Sequence, residues 1–207
     1  MIELFLSAFV TLFVIIDPPG CAPIFAGLTR DCPPPERRTM AVRSVTIAAG
    51  ILVFFAIFGE DLLRVLGIGL DAFRIAGGIM LFLIALEMVF ERRTARRENR
   101  AQEVSATEDV PDISVFPMAI PMIAGPGSIA SVMLLVGRSE GLDETLVVFA
   151  ALAAVLLLTL LALLAAGAMM RLLGHKMEAM LTRLLGVLLA ALAVQFVITG
   201  IRGAISA

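Results

Sequence analysis

The segment Ile16-Asp17-Pro18-Pro19-Gly20 interrupts a hydrophobic stretch of membrane-spanning length and places a carboxylate inside it. Proline removes a backbone donor and clashes with the preceding turn, so a helix cannot run smoothly through this segment. The interruption recurs at Ile123-Ala124-Gly125-Pro126-Gly127, where Pro126-Gly127 follows Pro19-Gly20 by 107 residues. Unwound backbone is tolerated in lipid only beside a cavity, so paired interruptions in two halves of a membrane chain indicate a transporter's binding site.

The composition is that of a polytopic membrane protein. A hydrophobic share of 60% and a mean hydropathy of +1.02 over 207 residues exclude an ordinary soluble domain. The fold class that we predict is all-α, with six transmembrane helices, the first broken at 17–20 and the fourth at 125–127. The predicted spans are 2–28, 41–58, 73–90, 113–136, 146–170 and 181–201, with loops at 29–36, after Gly59-Glu60-Asp61 and at Gly174-His175-Lys176.

The six spans divide into two sets of three, at 1–90 and 113–207, joined by a charged linker at 91–112. Arg74-Ile75-Ala76-Gly77 opens the third span, and Arg183-Leu184-Leu185-Gly186 opens the sixth at an offset of 109 residues, close to the 107 of the interruptions. Because three is odd, the second set enters the membrane from the opposite side. The sequence therefore predicts an inverted-topology repeat.

Lysine and arginine are unevenly distributed between the two sides of the predicted bundle. Twelve of the 16 fall in the loops after the first, third and fifth spans, and four fall on the other side. The positive-inside rule then places the linker in the cytoplasm and both termini outside it. The arginines of the linker could bind nucleic acid, but beside a membrane helix they are typical of a topology signal and of contact with anionic lipid headgroups. We expect the lipid bilayer, and no nucleic acid, as a partner.

Polar residues inside the predicted spans are the candidates for substrate contact. An acid in the membrane is costly, which favours a functional role for Asp17, although Asp17 can also cap the half-helix that begins at the break. Ser128 can cap its half-helix or donate to a substrate, and Gln195 can bind a substrate or bridge two helices. The predicted substrate-binding residues are Asp17, Gly20, Gly125, Gly127, Ser128 and Gln195.

The two half-helices of an inverted repeat both begin near the midplane of the membrane, where their free amides attract anions. We expect a substrate carboxylate on the amides of Gly127, Ser128 and Ile129. Its ammonium group, or a coupling Na⁺ or H⁺, is then held by Asp17 and neighbouring carbonyls. The glycines let the backbone approach closely, which favours a small zwitterion.

Other function classes find less support in the residues. His175, Cys21 and Cys32 supply neither a nucleophile with a base nor a metal-ligand set, so we expect no enzyme activity, no cofactor and no metal. A channel would need rings of carbonyls or charges, and one chain shows no such repeat. A secondary transporter is the preferred hypothesis. An ion or small-solute channel, or a non-transporting structural or interaction protein of the membrane, are the alternatives.

Three motifs resemble those of the MarC family of integral membrane proteins, and the resemblance covers essentially the whole chain. They are Asp17-Pro18-Pro19-Gly20-Cys21-Ala22-Pro23, the segment from Phe116 to Ser128, and the segment from Val194 to Ile201. The resemblance implies a permease or exporter of the cytoplasmic (inner) membrane, related to SnatA-type transporters of small neutral amino acids. Many members look to have Asn where this chain has Cys21, so its specificity can differ. Substrate, coupling ion, direction of transport and oligomeric state are left open.

Overall fold

The chain is helical throughout the part that the structure describes. This computed structural model covers residues 1–30, 32–90 and 112–206, with the side chains of all of these except 169–179 and 206. The predicted linker lies outside this part except for Asp112. The described helical segments are α1 (Ile2–Ile16), α2 (Pro18–Leu28), α3 (Pro34–Val65), α4 (Leu70–Val89), α5 (Ser114–Ile123), α6 (Pro126–Val136), α7 (Leu142–Leu164) and α8 (Ala166–Ser206).

The predicted all-α class is confirmed, and the helices have the length of membrane spans. Five described helices are long and apolar enough to cross a bilayer, and there are six candidates if α5 and α6 count as one bent span. The two interruptions differ in shape. The helices α1 and α2 form one candidate span of 27 residues, whereas α5 and α6 meet at an angle of 53°. The segment α5 is also irregular, with extended backbone dihedrals at Phe116 and Ile120.

The outer surface of the bundle is apolar. The helix α4 exposes Ile79 and Leu83, α7 exposes Leu157 and Leu161, and α8 exposes Val187 among other large aliphatic residues. A soluble monomer rarely exposes so much contiguous apolar surface, because water solvates it poorly. Lipid chains cover such a surface without that cost. The chain is therefore a multi-pass integral membrane protein.

Two of the predicted loops are wrong at their edges, because helix α3 extends into them. The helix α3 begins at Pro34, since proline is compatible with the first positions of a helix, so 34–36 is helical rather than loop. It also continues past Gly59 to Val65, and Arg64 forms ion pairs with Glu60 at 3.5 Å and Asp61 at 3.2 Å within its last turns.

The predicted boundary between the fifth and sixth spans is also wrong. The helix α7 ends at Leu164, and α8 begins at Ala166, so that the helical backbone passes through Gly174-His175-Lys176. No proline stops a helix in this region, and a lone glycine costs only about 1 kcal/mol there. Within the described residues, the part of α8 that is long and apolar enough to cross a membrane is Met180–Ile205.

The helices α4 and α8 pack against each other in opposite directions through glycines. A Cβ atom on Gly78 of α4 would lie 2.7 Å from Val197 Cγ2 and 2.8 Å from the Ala193 carbonyl oxygen of α8. Neither distance leaves room for a methyl group. The absence of a side chain at Gly78 therefore allows the two backbones to approach closely, as is common between membrane helices.

A second glycine contact lies further along the same pair of helices, with the roles of the helices exchanged. A Cβ atom on Gly186 of α8 would lie 3.1 Å from both the Ala85 carbonyl oxygen and Val89 Cγ2 of α4. Each residue of this contact is 108 residues away from its counterpart at the Gly78 contact. The pairs are Gly78 with Gly186, Ala85 with Ala193, and Val89 with Val197.

The short helices after the interruptions have corresponding neighbours. The helix α2 packs against α7 and α8, while α6 packs against α3 and α4. On the arginine-rich side of the bundle, Arg43 of α3 forms an ion pair with Asp112, which also accepts a hydrogen bond from the Ser114 backbone N–H at 2.9 Å. This contact fixes the start of α5 to α3.

Candidate functional site at the two interruptions

Asp17 is the single residue that joins α1 to α2. Its backbone is left-handed, with φ 58° and ψ 64°. Its N–H donates to the Phe13 carbonyl at 2.9 Å and so ends α1, while its carbonyl accepts from the Cys21 N–H at 3.0 Å and so begins α2. The carboxylate Oδ1 accepts a hydrogen bond from the Gly20 N–H at 3.1 Å. Asp17 thus ends one helix and caps the next.

The glycine of the Asp-Pro-Pro-Gly motif is required by this cap. A Cβ atom on Gly20 would lie 2.2 Å from Asp17 Oδ2, which is far inside van der Waals contact. Proline occupies the first position of α2, where a backbone N–H would have no acceptor within the helix. The four residues together therefore specify a capped helix start inside the apolar interior.

Cys21 also takes part in the junction. Its Sγ donates to the Ile16 carbonyl at 3.4 Å, one of the carbonyls that the end of α1 leaves without an intrahelical partner. The residue is fully buried. Cys21 thus supplies a weak side-chain donor to the end of α1.

The second interruption has no such carboxylate. The helix α6 begins with Pro126, and Gly125 before it supplies no side-chain cap. The N–H of Ile129 donates to the Gly125 carbonyl at 3.0 Å, so the predicted contact of this amide with a substrate is wrong, because the first turn of α6 already uses it. Within the described part of the chain, the N–H groups of Gly127 and Ser128 have no hydrogen-bond partner.

Gly125 permits a close approach of backbone to backbone. A Cβ atom there would lie 2.4 Å from the Pro121 carbonyl oxygen. The carbonyl of α5 therefore occupies the space beside Gly125, and the chain turns at this position into α6. Any larger residue would have to open the bend between the two helices.

The structure brings the two interruptions together in the interior. A Cβ atom on Gly127 would lie 3.4 Å from Ile15 Cγ2, two residues before Asp17, and 2.8 Å from Ile84 Cδ1 of α4. Asp17 and Ser128 are each 2% exposed, so both interruptions are closed off from the surface of the bundle. A buried carboxylate and a pair of amides without partners thus belong to one interior region.

Gln195 lies elsewhere. It is exposed on α8, and its Nε2 donates to Thr199 Oγ1 at 3.3 Å, while that hydroxyl donates to the Gln195 carbonyl at 2.8 Å. These bonds keep the polar groups of both residues on the outer face of α8. The structure does not bring Gln195 together with the buried residues of the interruptions.

Sequence reasoning missed Ser131. This residue is fully buried in α6, and its Oγ has no hydrogen-bond partner in the described part of the chain. It follows Ser128 by three residues, which places both hydroxyls on one face of the helix. The two serines at this spacing, directly after Gly125-Pro126-Gly127, were the available signal.

The arrangement can recognise charged and hydrogen-bonding groups of a ligand. Within the described residues, no three His, Cys, Asp or Glu side chains lie close enough together to hold a metal ion. One carboxylate can hold a cation, and the open amides at the N-terminus of α6 can hold an anion.

Residues 2–205 of the chain match the family that is described as MarC family integral membrane protein. The chain belongs to the MarC family. No solved structure matches it.

The relatives of this MarC protein come from both archaea and bacteria. It is 39% identical over 204 residues to a UPF0056 membrane protein of Methanocaldococcus jannaschii, covering 99% of this chain and 98% of the relative. It is 33% identical over 203 residues to UPF0056 membrane protein YvbG of Bacillus subtilis, covering 98% and 96%. It is 35% identical over 201 residues to UPF0056 inner membrane protein YhgN of Escherichia coli, covering 95% of each chain. This MarC protein therefore has bacterial inner-membrane relatives.

Proposed function

We propose that this MarC protein is a secondary transporter that carries small neutral amino acids, or similar small zwitterions, across the cytoplasmic membrane. The observation that carries the proposal is the pairing of the two interruptions in the apolar interior, where Gly127 lies against Ile15 beside Asp17. One interruption supplies a full negative charge and the other supplies open amides. These two groups match the ammonium and carboxylate ends of an amino acid.

A common offset supports the proposal of two related halves with broken first and fourth spans. The helices α2 and α6 both have 11 residues, and they begin at Pro18 and Pro126, 108 residues apart. The helices α3 and α7 begin at Pro34 and Leu142, again 108 residues apart. The mirrored contacts of Gly78 and Gly186 share this offset, which lies between the 107 and 109 that the sequence motifs predict. The antiparallel packing of α4 against α8 agrees with halves of opposite orientation.

The proposed mechanism is alternating access around this interior region. Asp17 and Ser128 are closed off from both sides in the structure, as a bound substrate would be during transport. The helix α2 packs against α7 and α8, and α6 packs against α3 and α4, so each half-helix rests mainly on the other half of the repeat. A rocking motion between the halves would open the region to one side of the membrane at a time.

The substrate's carboxylate is proposed to bind the N–H groups of Gly127 and Ser128, where the positive end of α6 adds to the attraction. Its ammonium group, or a coupling Na⁺ or H⁺, is proposed to contact Asp17. Ser131 offers a further hydroxyl one turn later. The glycines at positions 20, 125 and 127 are in close contact with their neighbours, which favours a substrate with a small side chain. The cycle contains no covalent step, so it requires no enzyme activity and no cofactor.

The test is transport by the purified full-length protein in liposomes. We expect saturable uptake or exchange of labelled glycine, alanine and serine, measured with and without gradients of Na⁺ and H⁺. Labelled leucine is the matched control, because it has the same charged groups on a larger side chain, and it should be carried poorly. Conductance without saturable uptake would favour the channel instead. Absence of both flux and conductance would favour a structural or interaction role.

A further inference from the structure

Two arginines meet at the other end of the bundle from Arg43. Arg138 follows the C-terminus of α6, and its guanidinium carbon lies 4.9 Å from the centroid of the Phe196 ring of α8. A Cβ atom on Gly200 of α8 would lie 3.1 Å from Arg74 Cβ. Residues 196 and 200 are both buried and lie one turn apart, about 6 Å along the helix axis. Arg138 and Arg74 therefore lie side by side over adjacent turns of α8.

Among the described residues, the two guanidinium groups of Arg74 and Arg138 share one paired carboxylate, that of Asp71. Arg74 Nη1 donates to Asp71 Oδ1 at 2.7 Å, but the Arg74 Nε is buried and has no partner among the described residues. Arg138 makes no ion pair within the described part of the chain. Arg138 is itself exposed, but partial desolvation lowers its pKa, and the neighbouring charge of Arg74 lowers it further. An anion between the two arginines would offset the repulsion between their charges.

The N-terminus of α4 adds to the positive potential. A Cβ atom on Gly137, next to Arg138, would lie 3.3 Å from the Leu70 side chain at the first position of this 20-residue helix. The helix has no side-chain cap. Its first amides therefore lie close to the loop that carries Arg138, and the helix dipole favours an anion there.

We propose that Arg74, Arg138 and the N-terminus of α4 form a binding site for one oxyanion group, a carboxylate or a phosphate. A guanidinium presents paired N–H donors that match the oxygens of such a group. The group could belong to a soluble anion or to the headgroup of an anionic phospholipid, because this end of the bundle lies at the membrane surface. The site is distinct from the interior region at Asp17, and its occupancy can be measured at equilibrium without transport.

The experiment compares binding to the wild-type protein and to Arg138→Gln, with Arg64→Gln as the matched control. Arg64 is exposed, lies at the same end of the bundle, and pairs with acids of its own helix. Thermal unfolding of the purified full-length proteins is followed in sodium phosphate and in sodium acetate, with ionic strength held constant by chloride. A second arm compares vesicles of phosphatidylglycerol with vesicles of phosphatidylcholine.

We expect a saturable rise of the unfolding midpoint with one of these probes. Arg138→Gln should weaken the apparent affinity about ten- to a hundredfold, the effect of losing one charge-assisted contact, while Arg64→Gln should not change it. A response to phosphate or acetate identifies a soluble anion. A response to phosphatidylglycerol alone identifies a lipid headgroup.

A rise that is equal in the wild type and in Arg138→Gln with every probe, or no rise with any probe, would overturn the proposal. Should Arg138→Gln fail to fold, Arg138→Lys takes its place, because it keeps the charge but loses the paired donors. An affinity unchanged in Arg138→Lys would then contradict the site.

Discussion

The Asp17 carboxylate fills the space in which a side chain on Gly20 would lie. Oδ2 is 2.2 Å from the position of a Cβ atom on Gly20, while Oδ1 accepts the hydrogen bond of the Gly20 N–H at 3.1 Å. The same glycine that donates to the cap thus also makes room for it. A carboxylate in this position is stabilised by backbone geometry before any ligand binds.

Gly20→Ala should therefore destabilise the protein. The new methyl group displaces the carboxylate, and loss of such a cap costs about 0.5–2 kcal/mol in the free energy of unfolding. Gly27→Ala is the matched control on the same helix, because a Cβ atom there meets nothing within 4 Å. Alanine is the better helix former, so Gly27→Ala should be neutral or stabilising by up to about 1 kcal/mol. Equal unfolding midpoints for the two variants in detergent would contradict the cap.

The glycine contacts between α4 and α8 give a second prediction. Gly78→Ala and Gly186→Ala should each destabilise the protein by about 1–3 kcal/mol, because a methyl group at either position overlaps the backbone or a side chain of the partner helix. Gly50→Ala on α3 is the control, since a Cβ atom there has no neighbour within 4 Å. Unfolding of purified variants measures all three. A cost at only one of the two contacts would argue against the proposed relation between the halves.

A break near 17–20 and another near 125–127 can be predicted from the sequence because proline and glycine act locally. Proline and glycine limit the backbone wherever they occur, but the two helices begin at Pro18 and Pro126, inside the predicted breaks rather than after them. The outward position of Gln195 could not be predicted in this way. In a membrane helix both the packed face and the lipid-facing face are apolar, so the sequence of α8 does not indicate which face meets α4.

Contacts between distant segments of the chain could not be predicted from the sequence either. The stacking of Arg138 on Phe196 joins residues that are far apart in the chain. From the sequence alone, Arg138 is an ordinary charged residue of a loop, and Phe196 is an ordinary apolar residue of a membrane span. The use of the Ile129 N–H in the first turn of α6 depends on where that helix begins, to within one residue. Such boundaries are the least reliable part of a prediction from sequence.

The orientation of the chain is a third prediction. The predicted spans place twelve of the 16 lysines and arginines on the side of the 91–112 linker, so the linker should face the cytoplasm and both termini should face away from it. A reporter that is active only outside the cytoplasm should be active when fused after Ala207 and inactive when inserted within the linker. The opposite pattern would reverse the orientation proposed for the whole bundle.

The last prediction separates the two roles of Asp17. Asn at this position keeps a side-chain oxygen that can cap α2 through the Gly20 N–H, but it removes the negative charge. If the charge holds the substrate's ammonium group or a coupling ion, Asp17→Asn removes a charge-assisted contact of about 1.5–3 kcal/mol. Transport by the purified variant in liposomes should then show an affinity or an ion dependence weakened about ten- to a hundredfold, with an unfolding midpoint close to that of the wild type.

Ser128→Ala is the comparison for Asp17→Asn. The proposed carboxylate contact at α6 is made by backbone amides, which this substitution keeps, so its effect on affinity should be smaller. Ser128 is as deeply buried as Asp17, and the two variants therefore change equally enclosed positions. If Asp17→Asn folds normally and transports with unchanged affinity and ion dependence, the carboxylate serves only as the cap between α1 and α2, and the substrate's cation must be held by other groups.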